Sequence, residues 1–264
     1  MCGIIGMVGQ VREGDWQPTH DLLSELFLKA ISRGRDATGF SAVTSPLDAP
    51  HRHRAAIAKE PVPADEFIDA NPFWRQLRRQ RCAAVLGHVR AATSGTPAEN
   101  ANNHPHEGRL TTGRFALVHN GWYTQTTDVV DRHALKLRTE CDSECAARLI
   151  ETTGSIAAGL YRCLTDLKGA QALAVLDYRT GTIWLARDDN RPLWIARLKD
   201  GRRTLIASTA EILCRSVEAS LGSATGWLES IHPLAPYFVH GLTPSGRLVA
   251  PYTTPARPSS GGEQ

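Results

Sequence analysis

Apolar and polar positions along this chain follow two periods, and the places where one gives way to the other predict the elements. Cys2 to Val8 is an almost unbroken apolar run closed by Gly9, which predicts a buried strand. Between Asp21 and Ile31, the residues Leu22, Leu23, Leu26, Phe27, Ala30 and Ile31 share one helical face, so an amphipathic helix is expected, ending near Gly34. Gly39 to Val43 reads as a second strand. Residues 46–63 hold four prolines and several charges and read as an exposed loop. A helix over Asp65 to Gln80 is expected to bend near Pro72. A strand at Ala83 to Val89 precedes a polar segment, 93–109, without clear periodicity. Phe115 to His119 reads as a strand running into an Asn120-Gly121 turn.

Helical patterns occupy 128–137, 143–152 and 155–167. From Gln171 to Ser208, short apolar runs (QALAVLD, TIWLAR, PLWIARL, TLIAS) separated by turn residues predict a series of antiparallel strands. A short helix near 209–218 and strands near 235–240 and 247–250 follow. The tail PARPSSGGEQ has the composition of a disordered segment. There is no repeat and no linker, so one domain over 1–250 is expected, with a disordered tail at 251–264. Strands grouped at both ends with helices between them suggest an α+β layered fold.

Composition narrows this only a little. The 264 residues are 42% hydrophobic and 22% charged, the balance of an ordinary globular domain. A formal charge of +3, from 30 basic and 27 acidic residues, does not suggest a nucleic-acid partner. The apolar N-terminus lacks a preceding basic region, and no run approaches the roughly 18 apolar residues of a membrane span, so neither a signal peptide nor a membrane segment is expected. Six cysteines without a secretion signal point to reduced thiols in a cytoplasm. Cys141 and Cys145 lack a second pair at zinc-site spacing, and His88, His104 and His106 lack a carboxylate cluster. No metal or other cofactor is expected.

Cys2 is the first candidate for chemistry. If Met1 is removed, this residue carries a thiol and a free α-amine together. An α-amine titrates at roughly 7.7–8.0 and is partly free base at neutral pH, while a thiol at roughly 8.5 is almost all protonated. One residue would then hold both nucleophile and general base, as N-terminal threonine nucleophiles do. The alternative is a small hydrophobe buried on a first strand.

The company of Cys2 changes the balance. The chain continues with Cys2-Gly3-Ile4-Ile5-Gly6, Arg33-Gly34-Arg35-Asp36-Ala37-Thr38-Gly39, Gly87-His88-Val89-Arg90-Ala91-Ala92-Thr93-Ser94-Gly95, Asn103-His104-Pro105-His106, Val118-His119-Asn120-Gly121 and Glu140-Cys141-Asp142-Ser143-Glu144. This series, in this order, resembles the class II glutamine amidotransferase domain, found in glucosamine-6-phosphate synthase and in the amidophosphoribosyltransferase of purine synthesis. The resemblance continues through Lys168-Gly169-Ala170 and Ile206-Ala207-Ser208 and covers nearly the whole chain. It implies a four-layer αββα N-terminal-nucleophile hydrolase sandwich of two antiparallel sheets.

The resemblance also implies roles. Cys2 would attack the side-chain carboxamide of L-glutamine, with the oxyanion held by the Asn120 side-chain amide and the Gly121 backbone N–H. Arg90 would grip the α-carboxylate through paired hydrogen bonds, with Thr93 adding a hydroxyl. Asp142 would take the α-ammonium, and could also cap the helix that follows it. Asp36 is expected to hold its loop in shape, and His119 to be a packed side chain. Two positions depart from the usual pattern: Ala91 stands where an aromatic residue is common, and Ser94 where the sugar-phosphate synthase has histidine. The expected activity is glutamine hydrolysis to glutamate and ammonia through a thioester. Because the glutaminase portion occupies most of the sequence, an ammonia-consuming synthase is expected on a separate chain. A stand-alone γ-glutamyl amide hydrolase and a catalytically idle regulatory subunit are the alternatives.

Overall fold

In the computed structural model, residues 1–11, 16–46 and 54–253 are described. The elements run β1 (Gly3–Gly9), α1 (Trp16–Ala30), β2 (Ala37–Pro46), β3 (Arg54–Glu60), α2 (Ala64–Ala70), α3 (Pro72–Leu77), β4 (Gln80–Arg90), β5 (His106–Leu110) and β6 (Gly113–Thr124). They continue with α4 (Thr126–His133), α5 (Ser143–Glu151), α6 (Ile156–Asp166), β7 (Lys168–Asp177), β8 (Ile183–Arg187), β9 (Trp194–Leu198) and β10 (Arg203–Ala207). The last are α7 (Ala210–Leu221), α8 (Ala224–Trp227), β11 (Leu228–Pro233), β12 (Phe238–Leu242) and β13 (Leu248–Thr253).

The strands form two sheets, ordered β11-β9-β10-β1-β4-β2-β3 and β13-β12-β8-β7-β6-β5. Every pairing is antiparallel. The alternation of side chains along each strand explains the layers. In β1, Ile5 and Met7 pack toward α1 and α7, while Ile4 and Val8 face the second sheet. In β7, Leu173 and Val175 pack toward α5 and α6, while Ala172, Ala174 and Leu176 face the first sheet. Both faces of the central strands are covered, which is why they read as continuous apolar runs. Two helical layers therefore sandwich two facing sheets, the αββα arrangement.

Helix α1 begins at Trp16, ahead of the expected Asp21, because Trp16, Thr19 and His20 are also buried. Its Leu22, Leu23, Leu26 and Phe27 are fully buried, each contributing about 1.5–3 kcal/mol by removal from water. Trp74 of α3 meets Phe27 and Phe40 edge-on, at 5.0 and 5.2 Å between ring centroids. The expected break at Pro72 is present: Asn71 ends α2 and caps α3, accepting from Trp74 N at 2.9 Å.

Four expectations need correction. The segment expected as a loop over 46–63 contains β3, which pairs with β2; residues 47–53 lie outside the described set. The polar segment 93–109 contains the short 3-10 turn Asn100–Asn102 and the start of β5. Asn120-Gly121 is not a turn. Both residues sit inside β6, paired with Ala172 and Gln171 of β7. Finally, the strands of 171–208 do not form one series, because the chain leaves the second sheet after β8 and enters the first at β9. At the C-terminus β13 extends to Thr253, and residues 254–264 of the expected tail lie outside the described set.

The placement of Gly121 inside a strand explains its identity. A Cβ there would collide with the Ala170 carbonyl oxygen and His119 Nε2. Gly121→Ala should therefore cost about 3 kcal/mol, read as a lower denaturant midpoint with an unchanged m-value; an unaffected midpoint would show that β6 and β7 part easily here.

Candidate active site

Strand register brings the N-terminal residue of interest to the end of β4. Gly3 pairs with Val89, so Cys2 lies beside Arg90 and Ala91. Its thiol contacts both groups of the Ala91 residue, donating to the carbonyl oxygen and accepting from the N–H, each at 3.4 Å. Arg33 Nε donates to the Cys2 carbonyl at 2.9 Å. Two residues on, the Ile4 N–H donates to Ser208 Oγ at 2.8 Å and the Ile4 carbonyl accepts from the Ser208 N–H at 3.0 Å. The start of β1 is thus tied down from three distant parts of the chain.

Cys2 is buried, at 8% exposure, and burial pushes its thiol above the ordinary range. The Ala91 hydrogen bond, the N-terminal charge and Arg90 oppose that shift, while Cys141 adds to it. At neutral pH the thiol therefore holds its proton and needs a base to give it up.

Asn120 comes from the other sheet. It shares the face of β6 occupied by Val118, which packs against the first sheet, and Cys2 shares the face of Ile4, which packs against the second. The Asn120 side chain is 1% exposed, and its amide Nδ2 has no hydrogen-bond partner among the described residues. A buried donor without an acceptor costs about 1–3 kcal/mol, so its retention calls for an explanation in function. His88 Nε2 lies 2.9 Å from the His119 carbonyl and bridges β4 to β6 between the two sheets.

The residues expected to clamp glutamine are engaged with their own loop. Arg90 is buried, its Nη1 donating to Asn103 Oδ1 at 2.6 Å and its Nη2 to the carbonyls of Ser94 and Gly95. Asp142 Oδ1 accepts from Ser94 Oγ at 2.8 Å, and Oδ2 accepts from Tyr123 N at 2.7 Å. Asp142 occupies the N-cap position of α5 without a side-chain cap bond, so the expected capping role is not seen; its oxygens are taken by Ser94 and Tyr123 instead. Thr93 is exposed. Asp36 does what was expected of it, accepting from Ala92 N at 2.8 Å while its own N–H donates to the Arg90 carbonyl at 3.0 Å.

Arg33, Ser208, Asn103 and Tyr123 were not singled out from the sequence as holding the site. For the first three the signal was there, since RGRDATG, IAS and NHPH belong to the motif series. Tyr123 acts through a contact that no spacing rule reveals. His119 is packed as expected, stacked on Tyr123 with ring centroids 4.4 Å apart and its Nδ1 2.9 Å from Ser143 Oγ.

Burial depresses the histidines around the site, His88 to about 3 and His119 to about 4, from an ordinary 6.5. In the unfolded chain both take a proton near 6.5, so between that pH and about 4 the unfolded state binds more protons. Stability is then complete above pH 6.5 and is lost as pH falls through this window. Thermal melts from about pH 8 to about pH 4.5 should show it, and His88→Gln should flatten the dependence. An acid profile unchanged in that variant would mean His88 is protonated in the fold.

Comparison with known proteins agrees with the geometry. A family profile described as a glutamine amidotransferase domain matches residues 96–215. The isomerizing glutamine–fructose-6-phosphate aminotransferase of Bacillus subtilis is 26% identical over 235 residues, 87% of this chain and 34% of that one. The same enzyme of Caulobacter vibrioides is 34% identical over 203 residues, 73% of this chain and 29% of that one. In structure, the glutamine phosphoribosylpyrophosphate amidotransferase of B. subtilis superposes with a TM-score of 0.67 over 94% of this chain and 49% of that one, at 22% identity. The chain carries a class II glutamine amidotransferase domain.

The superposition establishes the N-terminal-nucleophile hydrolase fold for this amidotransferase domain. The domain spans about a third of the length of the curated relatives it matches. Among the described residues no helix is long and apolar enough to cross a membrane.

Proposed function

We propose that this amidotransferase domain hydrolyses L-glutamine to glutamate and ammonia at Cys2, and that an ammonia-consuming synthase receives the product. The observation that carries the reading is the unpartnered amide of Asn120, buried on the face toward the sheet that Cys2 begins. A donor left without an acceptor in the resting protein is preorganised for a charge that appears only during reaction.

With Met1 removed, the Cys2 α-amine takes the thiol proton as Sγ bonds to the carboxamide carbon. The carbonyl π electrons move onto oxygen, where Asn120 Nδ2 and the Gly121 N–H receive the negative charge. Collapse of this intermediate breaks the C–N bond, the α-ammonium returns its proton to the departing nitrogen, and ammonia leaves. A water then attacks the thioester, giving a proton to the amine, and thiol and glutamate are released. Arg90 and Asp142 bind the two ends of the amino acid once substrate takes over the loop groups they now hold. All six cysteines are free, which supports a reducing cytoplasmic setting.

The test compares glutamine with γ-glutamyl amides of larger amines as substrates of the purified protein. Glutamine should have the higher kcat/KM. Preference for the larger amides by orders of magnitude would overturn the reading in favour of a γ-glutamyl amide hydrolase.

A further inference from the structure

His104, His106 and Cys141 were read from the sequence as unrelated, two histidines in a loop and an incidental thiol. The fold brings them together. One ring nitrogen of each histidine and the cysteine sulfur all lie within 4.8 Å of one another, and the three residues are 3%, 4% and 3% exposed. Both nitrogens of His104, and Nε2 of His106, find no hydrogen-bond partner among the described residues. Two buried imidazoles that leave three nitrogens unpaired beside a thiol are costly unless something binds them. The thiol makes a long contact to Asp142 Oδ1 at 3.9 Å, and its other hydrogen-bonding neighbour is Ser143, through backbone and side chain.

We propose that His104, His106 and Cys141 form a buried three-coordinate site for a soft monovalent cation, Cu(I). Metal–nitrogen and metal–sulfur bonds of about 2.0–2.3 Å place ligands in a trigonal site about 3.5–3.7 Å apart, so the present cluster closes by about 1 Å. One thiolate and two imidazoles are a soft donor set. Cys141 releases its proton as the sulfur–metal bond forms, and the ligands then carry one negative charge.

The surroundings select the charge of the ion. Lys59, Arg148 and Arg90 all act electrostatically on His106, and Arg90 also on His104 and Cys141. Asp142 is the acidic neighbour of Cys141. A monovalent ion makes the three-ligand site neutral, whereas a divalent one leaves a buried positive charge beside these cations. A surface cavity of about 440 Å³ is lined by His106, Lys59 and Glu144.

The position of the site gives it a consequence. Asn103, next to His104, holds Arg90, and Asp142, next to Cys141, is the opposite end of the clamp. An ion bound here fastens together the two segments that carry the clamp. Its effect on glutamine rests on the function proposed above; its binding does not.

The test titrates reduced protein with Cu(I) under anaerobic conditions against bicinchoninate. One equivalent should bind, raising the melting temperature, with an X-ray absorption spectrum of one sulfur and two imidazole ligands. Cys141→Ser and His106→Gln should each weaken binding by about 100-fold or more, the upper range for loss of even an outer-shell partner. Cys2→Ser and Cys145→Ala should leave it unchanged. No binding by the wild type, a two-sulfur spectrum, equal loss in the Cys2 variant, or tighter binding of Zn(II) than of Cu(I) would each overturn the proposal. The spectrum needs no variant to fold, and none of these readouts depends on glutamine hydrolysis. In active protein, loading should also lower KM for glutamine.

Discussion

Cys2→Ser should leave a folded protein whose release of ammonia from glutamine has fallen by several orders of magnitude. An alcohol is far less acidic than a thiol. Cys2 already sits where burial resists ionisation, so the serine oxygen would be harder still to activate. The substitution removes little else: the thiol makes only two long contacts, both to Ala91, and the melting temperature should change little. The glutamine analogue 6-diazo-5-oxonorleucine should label the wild type once, at Cys2, and intact mass should show active protein lacking Met1. An adduct at buried Cys82, Cys141 or Cys163, or full activity in chains that retain Met1, would sink the assignment of nucleophile and base.

Asn120→Ala should lower kcat by about 10²–10³, or about 2.7–4 kcal/mol of transition-state stabilisation, with a smaller change in KM. The same variant should lose little stability through hydrogen bonding, because Nδ2 gives up no partner in the resting protein. Asn103→Ala offers the contrast. Its Oδ1 accepts from Arg90 and its Nδ2 donates to the Pro97 carbonyl at 2.8 Å, so that variant should melt earlier. A loss of stability at Asn120 as large as at Asn103, with kcat unchanged, would make Asn120 a structural residue.

The parts of the fold visible in the sequence are those where one period persists. The run from Gly3 to Gly9 and the stripe from Leu22 to Ala30 announce β1 and α1, because each is buried along its whole length. The edge strands were hidden for the opposite reason. Residues of β3 and β11 are at most half-buried, so neither carries the apolar alternation that would mark it. Asn120-Gly121 misled because its composition is that of a tight turn; here the glycine answers to the Ala170 carbonyl across the ladder instead. The passage from β8 to β9 between sheets could not be seen, since strands of either sheet bury both faces alike.

The candidate site was legible as far as motifs name residues, and no further. That Arg90 and Asp142 hold the 94–95 loop in the resting protein depends on Ser94 reaching Asp142 across 48 positions of sequence. That His104 and His106 meet Cys141 depends on the packing of β5 against α5, for which no spacing within either segment is a guide.

The central place of β1 bears on biosynthesis. Its neighbours are β4 and β10, and Ile4 is fastened to Ser208, 204 positions later. During vectorial synthesis, amino end first, one flank of β1 has no partner until β10, Arg203–Ala207, has emerged. A strand made early is thus locked in place late, and a truncated product ending before β10 should be unable to assemble the proposed reactive centre.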